Sequence, residues 1–255
     1  MNPTPLVSII IPYYNSHTYF EDLLRSICEQ TIKDTEVIII DDKSSEESQA
    51  ILKELVAKYP QLHTQLIFNE ENQGVAKSRN IAFQKASGTY VTFMDADDLF
   101  CGKYSLEYRV EFLKNNPEFS GIGGYDYRIN EANALLLNLP DAKIPYFQEG
   151  VRHPESLRMI YAKNIVEANT KSASALFFAT GSCLFKRAEL VDFPFDPVYE
   201  TEDDVEWLLR FLETKKIKLE LLPFHCRRIH EEQYHFQTPS EITEKVKELA
   251  KKVVS

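Results

Sequence analysis

The stretch that decides the reading is Thr89-Tyr90-Val91-Thr92-Phe93-Met94-Asp95-Ala96-Asp97-Asp98, an apolar and β-branched run that stops at three carboxylates within four residues. A buried strand accounts for its first six positions. The acids need another cause. Like charges this close repel and titrate upward unless a cation lies among them. Open α/β sheets bind ligands at the carboxyl ends of their strands. The expectation is a divalent metal held at a strand end.

Upstream, strand and helix alternate with little waste. Leu6–Ile11 reads as a short buried strand stopped by Pro12, and Ser16 is placed to cap a helix whose apolar face is Phe20, Leu23, Leu24 and Ile27. Glu36–Ile40 is the second strand, and Ser44 with Glu47 forms a capping-box opening for a helix carrying Leu52, Leu55, Val56 and Tyr59. Gln65–Phe68 is the third strand, and Val75–Ala86 a helix closed by Gly88. This alternation predicts an α/β fold with parallel strands and right-handed crossovers.

Downstream of Asp98 the rhythm loosens. The pattern predicts helices over Tyr104–Asn116, Pro154–Lys163 and Glu202–Glu213, and strands at Thr180–Phe185 and Lys218–Leu222, with a strand or bend at Gly121–Tyr125. A helical tail puts Ile242, Val246, Leu249 and Val253 on one face. The expected organisation is one domain, 1–255: a nucleotide-handling half (1–100), a substrate-shaping half (101–240) and a C-terminal helix (241–255).

Composition narrows the function classes. The 255 residues carry 39 acids against 29 Lys and Arg, a net charge of −10, which disfavours the basic stripe that nucleic acid demands. No apolar run approaches the length of a membrane span, and Met1–Pro5 lacks the start of a signal peptide. Cys28, Cys101, Cys183 and Cys226 form no C-x-x-C pair, so reduced thiols in a cytoplasmic protein are expected.

Three polar clusters follow predicted strand ends: Pro12-Tyr13-Tyr14-Asn15, Asp41-Asp42 and Asp95–Asp98. Parallel strands bring them to one rim. Tyr14 can stack on a base, Asp42 can accept from a base N–H or a ribose hydroxyl, and a metal at Asp97 can bridge a diphosphate. Arg79 and Lys77, early in the third helix, add cations for base, ribose or phosphate. Alone, each has a duller explanation: packing for the tyrosines, turn chemistry for Asp41 and Asp42, a solvated face for Lys77. A fourth cluster, Glu202-Asp203-Asp204-Val205-Glu206, opens a predicted helix; capping explains one or two of its acids, and Glu206 pairs with Arg210 at i,i+4. A carboxylate there, beside a bound sugar, can deprotonate an attacking hydroxyl. Late in the chain, His230 can ligate the metal or touch phosphate.

Taken together, Val7–Asn15, Ser26-Ile27-x-x-Gln30-Thr31, Glu36–Asp42 with Ser44, Asn72-x-Gly74-x-x-x-x-Arg79-Asn80 and Asp95–Asp98 resemble the inverting, GT-A-fold glycosyltransferases of family 2. The likeness thins after residue 100 and returns at Gly181-Ser182-x-x-Phe185-x-Arg187 and Asp203–Arg210. It implies a Rossmann-like, mostly parallel sheet with an acceptor-side C-terminal half. Pro12, Tyr13, Tyr14 and Asp42 would hold the nucleobase, with Lys77 and Arg79 near and Asp95-Ala96 alongside. Asp95 and Asp97 would be the D-x-D acids on Mn2+ or Mg2+. Asp204 would be the catalytic base, with Asp203 as the second choice because the family's usual Glu-Asp is here Asp-Asp. The implied partners are a UDP-linked sugar donor and a glycan or glycolipid acceptor, in bacterial surface polysaccharide synthesis, in the cytoplasm or peripheral at the inner membrane face. A homo-oligomer is compatible with this.

Two rivals have sequence tests. A nicotinamide dehydrogenase needs G-x-G-x-x-G after the first strand, where this chain has Pro12-Tyr13-Tyr14-Asn15. A non-catalytic nucleotide- or carbohydrate-binding module on the same fold is the better rival, since folds outlive activities.

Overall fold

A computed structural model describes residues 4–135, 180–199, 203–230 and 248. The predicted Pro154–Lys163 helix and, apart from Glu248, the tail helix lie outside the described residues. The first four strands are β1 (Val7–Tyr13), β2 (Thr35–Asp41), β3 (His63–Phe68) and β4 (Tyr90–Phe93), separated by α1 (His17–Cys28), α2 (Glu46–Ala57) and α3 (Val75–Lys85). There follow β5 (Leu99–Phe100), α4 (Ser105–Asn115), β6 (Gly121–Ile129), β7 (Leu184–Lys186), α5 (Asp203–Phe211) and β8 (Ile217–Arg228).

All eight strands form one sheet in the order β3-β2-β1-β4-β7-β6-β8-β5. The β3-β2-β1-β4 half is parallel, as the alternation predicts. Beyond it β7 runs antiparallel to both β4 and β6, β8 is parallel to β6, and β5 is antiparallel to β8. The architecture is α/β, a mostly parallel sheet flanked by helices.

Alternation along the strands divides the core in two. Val7, Ile9, Ile11, Val37 and Ile39 face one layer with the apolar stripes of α1, α2 and α4. Ile10, Ile38 and Ile40 face the other, with α3 and α5. Burial on both faces is why these strands read as unbroken apolar runs.

Local chemistry moved several boundaries. Pro12 does not stop β1, which runs on to Tyr13. On the β4 side, pairing of β1 ends at Ile10, so past that point β1 has a free edge where a missing N–H is tolerated. Ser45, not Ser44, caps α2, accepting from the Ser48 amide at 3.2 Å. Ser44 instead receives the Asn15 amide at 2.8 Å, tying the first two rim loops together. Ser16 stands at the α1 N-cap but makes no side-chain cap bond. Thr180–Ser182 is a 3-10 turn before a short strand, and β8 extends well past Leu222.

Helix α5 is fixed by an aromatic cluster. Trp207 is fully buried, stacks between Phe195 (5.1 Å) and Phe211 (4.9 Å), and donates its indole N–H to the Phe193 carbonyl at 2.6 Å. The cluster sets where the N-terminus of α5, and hence Asp203, sits. Truncating such a residue removes area and leaves a void. Trp207→Ala is expected to cost about 3–5 kcal/mol in urea unfolding, far more than Val198→Ala at an exposed position.

Candidate functional site

The parallel strands deliver their polar ends to one rim. Tyr13 pairs with Asp41 and Ile10 with Phe93, so the segments after β1, β2 and β4 emerge side by side. The Asp42 amide donates to the Tyr13 carbonyl at 2.8 Å and the Asn69 amide to the Asp41 carbonyl at 2.9 Å. Asn15 and Lys43 turn their loops with positive φ, 52° and 66°.

The two tyrosines part company. Tyr13 is buried edge-on against Phe20 at 5.1 Å, with its hydroxyl 2.8 Å from Ser48 Oγ, and burial raises its pKa. Tyr14 is 52% exposed, its side chain open to solvent. Pro12, within β1 and opposite Ile40 of β2, is partly buried.

Asp42 is buried and already engaged. Its Oδ1 accepts from Asn69 Nδ2 (2.7 Å) and the Gln73 amide (2.9 Å), and its Oδ2 from the Gly74 amide (2.8 Å). It therefore anchors the loop that enters α3, where Gly74 adopts φ 84°. Asp41 receives the Ser44 amide and Gln49 Nε2 through Oδ2, while its buried Oδ1 has no hydrogen-bond partner. Lys77 is exposed on α3.

The three acids after β4 meet different surroundings. Asp95 is 55% exposed and holds Arg79 Nη2 at 2.8 Å. Asp97 is partly exposed, its Oδ2 lying 2.9 Å from His230 Nε2. Asp98 is buried, accepts the Arg228 amide at 2.9 Å and sits 2.9 Å from His225 Nε2. His225 in turn reaches Asp126 at 2.9 Å through Nδ1. Burial opposes a charged imidazole, but Asp98 and Asp126 outweigh it and lift the His225 pKa to about 10. A cation thus lies behind the acidic turn, and Ala96 is buried within it.

Arg79 joins the distant clusters. Its Nη2 holds Asp95 and its Nη1 holds the buried Asp203 at 2.6 Å, with the ring of Phe195 5.3 Å from the guanidinium carbon. The arginine remains cationic although buried, because Asp203, Asp95 and Asp204 together overcome its desolvation. Burial raises Asp203 to about 6 against the pull of Arg79. Burial also raises Asp204; Arg79 pulls it back, Asp95 adds repulsion, and Arg227 and the Val205 amide favour its charged form. Asp204 therefore feels Asp95 after β4 and Arg227 on β8. Glu206 receives Arg210 Nε at 2.8 Å and Nη2 at 3.0 Å, the i,i+4 pair read from the sequence.

Among the described residues no group of three or more His, Cys, Asp or Glu side chains is arranged to hold a metal. Asp97 Oδ2 and His230 Nε2 meet in a 2.9 Å hydrogen bond, and a carboxylate beside an imidazole is a donor set that a divalent ion could take. Such ions are commonly held by one or two protein groups plus substrate phosphates.

Sequence reasoning passed over His225, Asp126, Asp22 and Tyr19, all of which lie around this turn. His225 had a signal in Gly181: a Cβ there would lie 2.8 Å from the imidazole Nε2, so the glycine marks a close approach.

Comparison with known proteins agrees with the geometry. The model of "Glycosyl transferase family 2" matches residues 8–179. An uncharacterized glycosyltransferase of Haemophilus influenzae is 36% identical over 142 residues, 56% of this chain and 56% of that protein. Bacillus subtilis TuaG, whose name assigns it to teichuronic acid biosynthesis, is 35% identical over 134 residues, 52% of each chain. The match thus spans about half the length of these relatives. Among solved structures, S. aureus TarS with UDP-GlcNAc superposes with TM-score 0.68 at 20% identity, covering 97% of this chain and 66% of that one. The Pyrobaculum calidifontis mannosyltransferase PcManGT, with GDP-Man and Mn2+, gives 0.65 at 20% identity, covering 92% and 60%. With the family model spanning most of the sheet and the acidic turn after β4, this chain belongs to glycosyl transferase family 2.

Proposed function

We propose that this protein is an inverting glycosyltransferase, moving a hexosyl or N-acetylhexosaminyl unit from a UDP-linked donor to a hydroxyl of a glycan or lipid-linked acceptor. The observation that carries the proposal is the double bridge of Arg79 to Asp95 and Asp203. It ties the acidic turn after β4 to the acidic N-terminus of α5, although 124 positions separate Arg79 from Asp203. A donor-side acid and an acceptor-side base have to share one rim, and this bridge supports that arrangement.

In this reading Tyr14 stacks on the base, the β1 and β2 rim segments at Pro12, Tyr13 and Asp42 frame it, and Lys77 faces the phosphates. Asp97 and His230, with Asp95, would hold a divalent cation. Bound there, the cation offsets negative charge developing on the departing diphosphate. Asp204 takes the proton from the acceptor hydroxyl. That oxygen attacks the anomeric carbon opposite the diphosphate, the sugar–phosphate bond breaks, and configuration inverts; inverting sugar hydrolysis has the same two-sided geometry. Asp203, neutralised by Arg79, is the poorer base, which favours Asp204.

The single sheet running through both halves supports one domain, with residues 1–100 for the donor and 101–240 for the acceptor. Among the described residues no helix is long and apolar enough to cross a membrane, and all four cysteines are free thiols. Both fit work in the cytoplasm, at the inner membrane face where a lipid-linked acceptor would be met. TuaG, named for teichuronic acid biosynthesis, supports a role in surface polysaccharide synthesis.

A panel of sugar nucleotides, scored by UDP release with and without Mn2+, tests the proposal; a binding module would retain nucleotide yet release none. Asp204→Asn is expected to lower kcat roughly 10²–10⁴-fold with UDP affinity retained, since calorimetry with UDP reads only the donor side. Asp97→Ala is expected to lose Mn2+-dependent nucleotide binding in the same titration. Because the Asp204 pKa is raised from 3.8, protonation removes the base as pH falls, and the acidic limb of kcat is expected above that value.

A further inference from the structure

The site reading leaves Arg228 unused, yet it is the most enclosed charged side chain near the acidic turn. It is fully buried at the end of β8. Its Nε donates to the Asp97 carbonyl at 2.9 Å, Nη1 to the carbonyls of Asn130 and Glu131 at 3.1 Å each, and Nη2 to Asp22 Oδ2 at 3.1 Å. Its amide donates to Asp98 Oδ1 at 2.9 Å. The guanidinium carbon lies 4.3 Å from the ring centroid of Tyr19.

Tyr19 does a second thing: its ring lies 5.0 Å from that of His230, tilted by 54°. Tyr19 and Asp22 are three residues apart on α1, so one helix face offers both a ring and a carboxylate to β8. The arrangement reads as a continuous assembly. Arg228 grips the main chain of Asp97, packs on Tyr19, and Tyr19 flanks the imidazole that meets the Asp97 carboxylate.

Only arginine satisfies this geometry. Its planar fork reaches acceptors in three directions while its face rests on an aromatic ring; a lysine ammonium is a point donor without a stacking face. The buried positive charge is met by the Asp22 carboxylate, while the Asp97 and Asp98 contacts run through the Asp97 carbonyl and the Arg228 amide.

We propose that Arg228 is a positioning residue which, through Tyr19 and the Asp97 main chain, presets the Asp97–His230 pair for a divalent cation. This rests on the proposed function in one respect, that Asp97 and His230 receive the cation. Outer groups that orient metal ligands typically carry about 10–100-fold of the affinity.

The test is direct Mn2+ binding to the full chain, read by the electron paramagnetic resonance of free Mn2+, with and without UDP. Arg228→Lys is expected to weaken Mn2+ binding by roughly 10–100-fold, and high Mn2+ is expected to restore most of kcat. Activity lost through general loosening would not return with Mn2+. Tyr19→Leu is expected to weaken binding and Tyr19→Phe to keep it, a comparison that decides the matter if Arg228→Lys does not fold. Wild-type Mn2+ affinity in a folded Arg228→Lys, or in Tyr19→Leu if Arg228→Lys is unfolded, would overturn the inference. Absence of Mn2+ binding by the wild type would instead remove the cation reading beneath it.

Discussion

The arrangement depends on one buried cation shared between two acids. Arg79 is nearly inaccessible, as is Asp203, while Asp95 reaches toward solvent. Breaking a buried pair by removing one partner costs about 3–5 kcal/mol, because the other charge is left uncompensated. Replacing both by apolar groups would cost far less. Stability alone therefore does not explain the pair. What it supplies is a fixed relation between a loop of the parallel half and a helix that follows the antiparallel strands, and an exchange site needs that relation.

The rest of the core serves the same end. Trp207 and its phenylalanine neighbours seat α5 on the face of the sheet that also receives α3, so the helix bearing Arg79 and the helix bearing Asp203 share one layer. Their relative placement is then a packing result, and ion pairing refines it. On the opposite face α1 brings Tyr19 and Asp22 to β8. The acidic turn is thereby approached from both layers of the molecule.

Much of this was legible in the sequence, and the reasons are local. Ile9–Ile11, Val37–Ile40 and Val91–Phe93 are apolar on both faces, so they announce buried parallel strands regardless of neighbours. Asp95, Asp97, Asp203 and Asp204 drew notice because adjacent carboxylates are costly wherever they fall. What remained hidden was non-local. Tyr13 and Tyr14 look alike in sequence, but Tyr13 ends β1 with its ring in the core, whereas Tyr14 opens the exposed bend beyond it. Asp42 reads as a ligand-facing acid, whereas in the structure it receives three hydrogen bonds from the chain around Asn69–Gly74. The role of Arg228 depends on carbonyls nearly a hundred positions away, and no spacing rule encodes that.

Three aspartates within four residues need not share one task, and their surroundings divide the labour. Asp98 is buried against a histidine that is charged at neutral pH, and burial raises its own pKa to about 6 against that pull. With both oxygens engaged by β8, it is a foundation for the turn and a poor ligand. Asp95 spends one oxygen on Arg79 and keeps an exposed face. Asp97 alone meets an imidazole across a partly open surface. In the proposed function, that order of burial favours Asp97 as the inner ligand. The expense of clustering three carboxylates is met by partners from two parts of the chain: Arg79 on α3 for Asp95, and His230 and His225, just beyond and within β8, for Asp97 and Asp98.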